Sequence, residues 1–405
     1  MLLKSRKIDF LFIYDSHIRE VESLLQVHEF LSSKGYSVKI VPNHWKRYYN
    51  AWRYEPKVII LPFMYNRLDG CYSIYKSLYP KAQFVNIHSE QISNDDTKVL
   101  MLPQDQDAKS VWHTAWGKDF SDSLKECGVE SRLIKITGNI RFDRLINERR
   151  DEYASAKEHL LFPSSFGLSM MDESYLNDVA RVIPRDLLDR QIGFMKKMRK
   201  QTFKILYEFA LAKPEVMVLV RPHPHVRMDI YTSVFLSDIN KSVLPKNIRI
   251  ERQGSIREFF NVRGKVLAWH STTVLEAILL GKATSIIEPE PFPDFMQMDY
   301  FKYFLTIKSL NELLSWWEVK ENDDANVVTY LEKKYYKIDG KSTERLSIFL
   351  IELASGVNES KRRFNGKFLL KAIVIDGIKE VLKITKLIFI VKPFYKGIKE
   401  DLQDV

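Results

Sequence analysis

Short apolar runs alternate with amphipathic stretches along the first half of the chain. The apolar runs predict five strands, at residues 8–13, 37–41, 57–62, 83–87 and 132–136. Residues 18–33 have the apolar spacing of a helix, which ends at Lys34-Gly35. Strands separated by helices imply right-handed crossovers, so this half is predicted to form a parallel sheet.

The second half shows the same alternation. Its apolar runs predict strands at 159–162, 216–220, 247–250, 265–269 and 284–287, with helices at 189–211 and 271–280. The charged, helix-prone stretch 147–158 is interpreted as the bridge between the two series. The predicted fold class is therefore α/β, with two Rossmann-like domains, 1–150 and 151–340, and a cleft between them.

Length and composition agree with two globular domains. A chain of 405 residues is too long for one compact core, and 45% hydrophobic with 28% charged residues excludes a disordered protein. The two cysteines, Cys71 and Cys127, are too few for a disulfide framework or a zinc site, so a reducing, cytoplasmic compartment is predicted. The segment 1–7 carries no cleavage-site pattern, so no signal peptide is predicted.

The positive charge is concentrated at the C-terminus. Residues 361–405 hold 11 Lys/Arg and 5 Asp/Glu, which is +6 of the net +10. Nucleic-acid binders usually carry their basic surface on the folded domain, so no nucleic-acid partner is predicted.

Residues 341–405 are predicted to form C-terminal helices and an amphipathic helical tail. Eight lysines alternate with apolar clusters between 364 and 401, and no apolar run reaches the ~20 residues of a membrane span. This pattern is typical of a helix that docks on an anionic membrane surface without crossing it. The alternative is a helix that packs its apolar face on the two domains.

Polar residues follow two strands of the second half where each strand ends. Arg221-Pro222-His223-Pro224-His225 follows one, and His270-Ser271-Thr272-Thr273 follows the other at the start of a helix that carries Glu276. Ligands of open α/β sheets bind at such strand ends, and hydroxyl, imidazole and guanidinium groups suit a phosphate. Taken singly, Ser-Thr-Thr is an ordinary N-cap and a lone histidine is structural. On two adjacent strand ends of one sheet, they indicate an anion site.

These residues resemble paired motifs of a known group of enzymes. The His-Pro motif at 221–224 and the Ser/Thr motif at 270–281 are similar to those of bacterial GT-B glycosyltransferases of surface carbohydrate biosynthesis, which include β-Kdo transferases, pseudaminyltransferases and polysialyltransferases. The first half contains further landmarks of this group, namely Arg19-Glu20-Val21-Glu22, His88-Ser89-Glu90-Gln91, Trp116-Gly117 and Thr137-Gly138-Asn139-Ile140-Arg141-Phe142-Asp143. The resemblance runs from about residue 8 to 289.

The resemblance implies a GT-B fold and transfer of an acidic ulosonic sugar, Kdo or a nonulosonic acid such as pseudaminic acid. The donor would be a CMP-sugar and the acceptor a lipid-linked capsule or O-antigen oligosaccharide. From its cysteine content and its tail, the enzyme is predicted to be cytoplasmic and peripheral on the inner membrane. The resemblance implies no cofactor and no metal. His223 and the Ser/Thr motif would contact phosphate and Glu276 the ribose. The implied donor-binding residues are Arg221, His223, Ser164, Ser165, His270, Ser271, Thr272, Thr273 and Glu276.

Two positions depart from the group's pattern. Gln91 stands where glycine is expected after Glu90, and Ile140 where proline is common. Both departures bear on which residues are catalytic.

Sugar transfer needs an acceptor-side carboxylate, as general base or as nucleophile. The carboxylates near predicted strand ends of the first half are Asp15, Glu20, Glu22 and Glu90. Glu90 follows a strand directly, and Glu20 and Glu22 cannot share one face of a helix. The predicted catalytic residues are Glu90 first and Glu22 second, together with His223.

Two alternatives stay open. One is a CDP-glycerol-type polyol phosphotransferase, whose motifs are similar. The other is a non-catalytic, membrane-bound assembly factor that keeps the fold.

Overall fold

The computed structural model describes residues 5–91, 101–147, 158–180, 184–223, 226–252, 256–319 and 325–357, and short stretches between 362 and 376. The chain forms two compact units, the first from residues 1–144 and 332–405 and the second from 145–331. Most of the predicted bridge, 148–157, and most of the predicted tail lie outside the described residues.

The first unit is built on a six-stranded parallel sheet. Its strands are β1 (Arg6–Tyr14), β2 (Val38–Pro42), β3 (Tyr54–Leu61), β4 (Gln83–Asn86), β5 (Trp112–Ala115) and β6 (Ile134–Ile136). They lie in the order β2-β1-β3-β4-β5-β6, and Phe10 of β1 pairs with Val38 on one side and Val58 on the other. The predicted site residues of this unit follow β1 and β4, and both strands belong to this sheet.

Helices cover both faces of this sheet. They are α1 (Glu22–Ser33), α2 (Arg47–Arg53), α3 (Gly70–Leu78), α4 (Gln106–Lys109), α5 (Lys118–Glu126) and α6 (Ile140–Asn147), with a π-helical turn, His17–Val21, before α1. Leu11 of β1 packs against α3, whereas Phe10 and Phe12 pack against α1. Because β1 is buried on both faces, its sequence is a continuous apolar run and does not alternate.

The second unit repeats the plan. Its strands are β7 (His159–Pro163), β8 (Met217–Arg221), β9 (Ile248–Ile250), β10 (Gly264–Ala268), β11 (Thr284–Ile287) and β12 (Thr306–Ile307), in the parallel order β12-β11-β10-β7-β8-β9. Its helices are α7 (Glu173–Val179), α8 (Arg185–Ala212), α9 (Met228–Asp238), α10 (Ile256–Phe260), α11 (Thr273–Leu279), α12 (Leu310–Glu318) and α13 (Ala325–Lys334). The predicted α/β class with two parallel sheets is confirmed.

Helix α14 (Ser342–Ser355), the last long helix among the described residues, belongs to the first unit. Leu346, Phe349 and Leu350 join the apolar cluster formed by α1 and β1. The sequence-based division assigns 341–405 to a separate C-terminal segment, but burial of this apolar face makes α14 part of the first unit's core.

The landmark 137–143 holds α14 in place. The Asp143 carboxylate accepts hydrogen bonds from the Ser342 and Thr343 backbone N–H groups, at 3.0 and 2.6 Å. Gly138 has φ +83°, and a side chain there would meet the Ser342 hydroxyl. Gly138 and Asp143 of this motif therefore have a structural role, because they dock α14 on the first unit.

The described residues of the tail also contact the first unit. The Arg362 guanidinium lies 3.8 Å from the centre of the Trp52 ring, and the Asp376 carboxylate accepts a 2.7 Å bond from the Tyr49 N–H. Within the described residues, no helix combines the length and apolar character needed to cross a bilayer.

Candidate functional site

The predicted donor site forms where three neighbouring strands of the second sheet end. Strand β7 lies between β10 and β8, so Ser164 and Ser165 are flanked by the loops after β8 and β10. The sequence predicts β8 and β10 as adjacent, and this is wrong, because the chain order of strands does not fix their order in a doubly wound sheet. The correction adds the β7 loop to the centre of the site.

Close contacts connect these three loops. The Ser164 N–H donates to the Arg221 carbonyl at 2.8 Å, and the Ser165 hydroxyl donates to the Trp269 carbonyl. A side-chain carbon at Gly167 would lie 3.1 Å from Cβ of His223, so the His223 side chain rests against a position without a side chain. Ser164, Ser165 and His223 are thereby fixed relative to one another.

Arg221 brings a buried positive charge to this edge. Its side chain is only 7% exposed, and its guanidinium lies 5.7 Å from the centre of the Phe259 ring. Burial lowers the pKa of Arg221, and the nearby Arg252 lowers it further. Glu258 and Glu251 act in the opposite direction and raise this pKa.

The Ser/Thr motif presents hydroxyl groups beside these residues. Ser271 and Thr273 share a 2.8 Å hydrogen bond, and the Thr272 side chain makes no capping bond to the helix. Helix α11 has only seven residues, so the hydroxyl groups of the motif, and not the helix dipole, are its candidate anion-binding groups. Glu276 is buried in the first turn of α11.

His270, one of the predicted donor-binding residues, is bonded within the loop after β10. Its Nε2 donates to the Met296 carbonyl at 2.8 Å, and its ring packs against Phe292 and Phe301. Burial lowers the pKa of His270, which favours the neutral ring. A neutral imidazole bonded to a backbone carbonyl holds the loop, which has a left-handed φ of 44° at His270.

A second polar site lies at strand ends of the first unit. A small cavity opens beyond β4, β5 and β6, and Glu20, Ser89, Asn139 and Arg141 are among its lining residues. The predicted catalytic residue Glu90 follows Ser89, and its carboxylate lies 4.0 Å from the Arg141 guanidinium. Glu90 is thus placed at the edge of this cavity.

The structure separates Glu20 from Glu22. The Glu22 carboxylate pairs with Arg144, and Glu22 is not among the lining residues. Glu20 lines the cavity, and its two oxygens accept the Asp15 and Ser16 N–H groups at 3.2 Å each. Burial raises the pKa of Glu20. Glu22, the second predicted catalytic candidate, therefore lies outside the lining of this cavity.

Asp15 belongs to a hydrogen-bond network that the sequence does not indicate. Its Oδ1 accepts bonds from Asn43 at 3.0 Å and from Nε2 of His44 at 2.9 Å, and Arg47 lies 3.2 Å from the other ring nitrogen of His44. Although burial tends to raise the pKa of Asp15, the bonds from His44 and Asn43 lower it overall. The position of Asn43-His44 directly after β2 is the signal that could have found this network.

Among the described residues, no group of three or more His, Cys, Asp or Glu side chains could hold a metal ion.

Comparison with known proteins shows a likeness of fold. No protein-family profile matches the chain. No curated protein matches it either. Among solved structures, S. aureus MnaA with UDP has TM-score 0.54 at 12% identity, covering 89% of this chain and all of that chain. A putative UDP-N-acetylglucosamine 2-epimerase from Listeria monocytogenes gives TM-score 0.54 at 10% identity, with the same coverage. The wall teichoic acid polymerase TagF, H444N variant, gives TM-score 0.53 at 11% identity, covering 87% and 90%. The chain has the GT-B fold, as the sequence resemblance implied.

Proposed function

We propose that this chain is a glycosyltransferase whose nucleotide-sugar donor binds the second unit where β10, β7 and β8 end. One observation supports this most strongly: the bonds of Ser164 to Arg221 and of Ser165 to Trp269, and the packing of His223 against Gly167, bring three loops together at one sheet edge. The structural neighbour S. aureus MnaA was solved together with UDP, which supports a nucleotide ligand.

In the proposed reaction the bond between the sugar's anomeric carbon and a phosphate oxygen breaks, and the nucleotide leaves with added negative charge. His223 and the hydroxyls of Ser271, Thr272 and Thr273 would donate hydrogen bonds to that phosphate. Arg221 would add a fixed positive charge. Groups that are already in place can stabilise the developing charge without reorganising. Such electrostatic stabilisation provides the larger part of the rate enhancement of many enzymes.

The acceptor side of the reaction needs a carboxylate, for which we propose Glu90. It would take the proton of the attacking hydroxyl, or form a transient bond to the sugar if configuration is retained. Its place supports this role, because its carboxylate lies 4.0 Å from the guanidinium of Arg141, a lining residue of the cavity.

The proposed donor is a CMP-sugar of the ulosonic class, Kdo or a nonulosonic acid, and the proposed acceptor is a lipid-linked capsule or O-antigen glycan. The support is the order of the His-Pro and Ser/Thr motifs along the chain. Polyol phosphate transfer from CDP-glycerol is the second candidate, which the likeness to a wall teichoic acid polymerase favours. Both donors would place a cytidine phosphate on the same residues.

Nucleotide release from four donors separates these functions. Purified protein is incubated with CMP-Kdo, CMP-pseudaminic acid, CDP-glycerol or UDP-N-acetylglucosamine, the last as a control donor without cytidine. We expect CMP release from one of the first two. Release from CDP-glycerol alone would replace the proposal with its second candidate. If the protein turns over no donor when donors and acceptor glycans are both supplied, the alternative that stands is the non-catalytic assembly factor.

We also expect turnover to continue without divalent cations. The imidazole, hydroxyl and guanidinium groups would stabilise the phosphate charge that metal ions stabilise in other transferases. CMP release should be unchanged in excess EDTA. A loss that magnesium or manganese restores would contradict this expectation.

For the C-terminal tail we propose docking on the cytoplasmic face of an anionic membrane, supported by the +6 charge of 361–405. Liposome flotation of the full chain should show binding to anionic vesicles that weakens with salt, because salt screens the lysines. Neutral vesicles are the control. Equal flotation with both kinds of vesicle, or no flotation at low salt, would contradict membrane docking. The tail would then be a helix that packs on the folded domains.

A further inference from the structure

One buried side chain ties the loop after β4 to the end of β5. Gln91 is 7% exposed, and its side-chain oxygen accepts the Trp116 N–H at 2.8 Å. Its amide nitrogen donates to the Thr114 and His88 carbonyls, both at 3.3 Å. The oxygen and the nitrogen of the amide are therefore both bonded, and the bonds to Thr114 and Trp116 cross from one strand end to the next.

The other end of the same loop is fixed as well. His88, which has a left-handed φ of 46°, bonds through its ring to His113 of β5 at 2.9 Å. The Ser89 N–H donates to the Pro62 carbonyl, just after β3, at 2.8 Å. Residues 88–91 are thus held by both strands that flank β4, and Glu90 lies inside this held segment.

Gln91 stands where the resembled group is expected to have glycine. A glycine would have no side chain with which to reach Thr114 or Trp116. In this chain the departure therefore adds two bonds that connect the segment 88–91 to the segment 114–116.

We infer that Gln91 is a positioning residue, whose amide holds the loop so that the Glu90 carboxylate keeps its place 4.0 Å from the Arg141 guanidinium. That Glu90 acts on a substrate rests on the proposed function, whereas the hold of Gln91 on the loop does not. Gln91 acts on the reaction only through Glu90. A misplacement of about 1 Å can cost a factor of about 10² in rate, so the loss of this hold should be measurable.

Gln91→Ala removes the amide. The Trp116 N–H loses its acceptor, so it should exchange faster with solvent in hydrogen-exchange measurements on the purified protein. We expect kcat for CMP release to fall about 10²-fold, and kcat/KM to fall equally, because the change affects the transition state and not the binding of the donor.

Asn247→Ala is the matched control. Asn247 is also a buried side-chain amide, and it donates to the backbone carbonyls of Ala210, Lys213 and Val216 at 2.9, 3.1 and 2.9 Å. It directly precedes β9, so it lies at the edge of the second sheet opposite the strand ends of the donor site. Its loss should lower the melting temperature but leave both kcat and the exchange of the Trp116 N–H unchanged.

Gln91→Glu distinguishes positioning from general stability. The introduced carboxyl group can accept the Trp116 N–H in either protonation state, but it can donate to the Thr114 carbonyl only when it is protonated. Burial beside carbonyl oxygens raises the pKa of a carboxyl group. The ratio of variant to wild-type kcat should therefore rise as the pH falls from about 8 to about 5.

Other titrating groups near this loop do not produce that rise. Glu90 and Arg141 are common to both proteins, so the ratio cancels their titration. Burial lowers the pKa of His88 and lowers that of His113 to about 4, so both rings stay neutral over this range.

Three results would overturn the inference: unchanged Trp116 exchange in Gln91→Ala, wild-type kcat in that variant, or a ratio for Gln91→Glu that does not change with pH. If the wild-type protein turns over no donor, the proposed function fails. Faster Trp116 exchange in Gln91→Ala, but not in Asn247→Ala, would then still uphold the hold of Gln91 on the loop.

Discussion

Replacing His223 by alanine is expected to lower the turnover number by about 10²–10³-fold, the cost of removing one donor to a developing oxyanion. His223 follows β8, and its backbone carbonyl accepts the Val226 N–H at 3.0 Å, a bond that alanine keeps. The fold should therefore survive, and the melting temperature should stay within a degree or two of wild type. CMP release under saturating donor measures the effect.

Two other histidines provide the controls. His28→Ala makes the same change on α1 of the first unit, away from the cavity residues, and should alter neither activity nor stability. His270→Ala should lower stability, because the bond to Met296 and the packing with Phe292 are lost. Near wild-type turnover by His223→Ala would remove His223 from the donor site.

Replacing Gly117 by alanine is expected to destabilise the first unit by about 3 kcal/mol or more, the upper range for overpacking. The backbone at Gly117 is extended, with φ −153°, so alanine has no conformational penalty there. The added carbon would overlap the Lys334 carbonyl and approach the Tyr335 N–H. Backbone cannot rotate away as a side chain can, so the segment leading to α14 must shift.

Gly193→Ala is the matched control for that change. Gly193 lies within α8, and a carbon added there meets nothing within 4 Å. Alanine in a helix interior should stabilise by roughly 0.5–1 kcal/mol. Hydrogen exchange should show lost protection over residues 335–355 in Gly117→Ala alone. Unchanged exchange there would mean that this segment does not depend on Gly117.

Much of the fold could be predicted because most strands are apolar runs bounded by polar turns. Strand β5 was missed because its four residues include His113 and Thr114, both buried. His113 is bonded to His88 at 2.9 Å, so its polarity is satisfied by tertiary contact, and the sequence does not show this. The two-residue strand β12 is too short to give a pattern.

The sequence predicts that the donor site lies at strand ends, but it does not predict which loops meet there. Which loops meet depends on the strand order β10-β7-β8, which comes from long-range pairing. In the first unit, the predicted helix 18–33 opens with the π-helical turn His17–Val21. A wider turn changes which side chains face inward, so Glu20 lines the cavity and Glu22 reaches Arg144.

A crystal structure of the full chain with CMP tests the central claim most directly. The donor site at the ends of β10, β7 and β8 predicts the phosphate within hydrogen-bond distance of His223 and of at least one hydroxyl among Ser271, Thr272 and Thr273. CMP bound only in the first unit, or in the second unit with its phosphate away from His223 and the Ser/Thr motif, would contradict it.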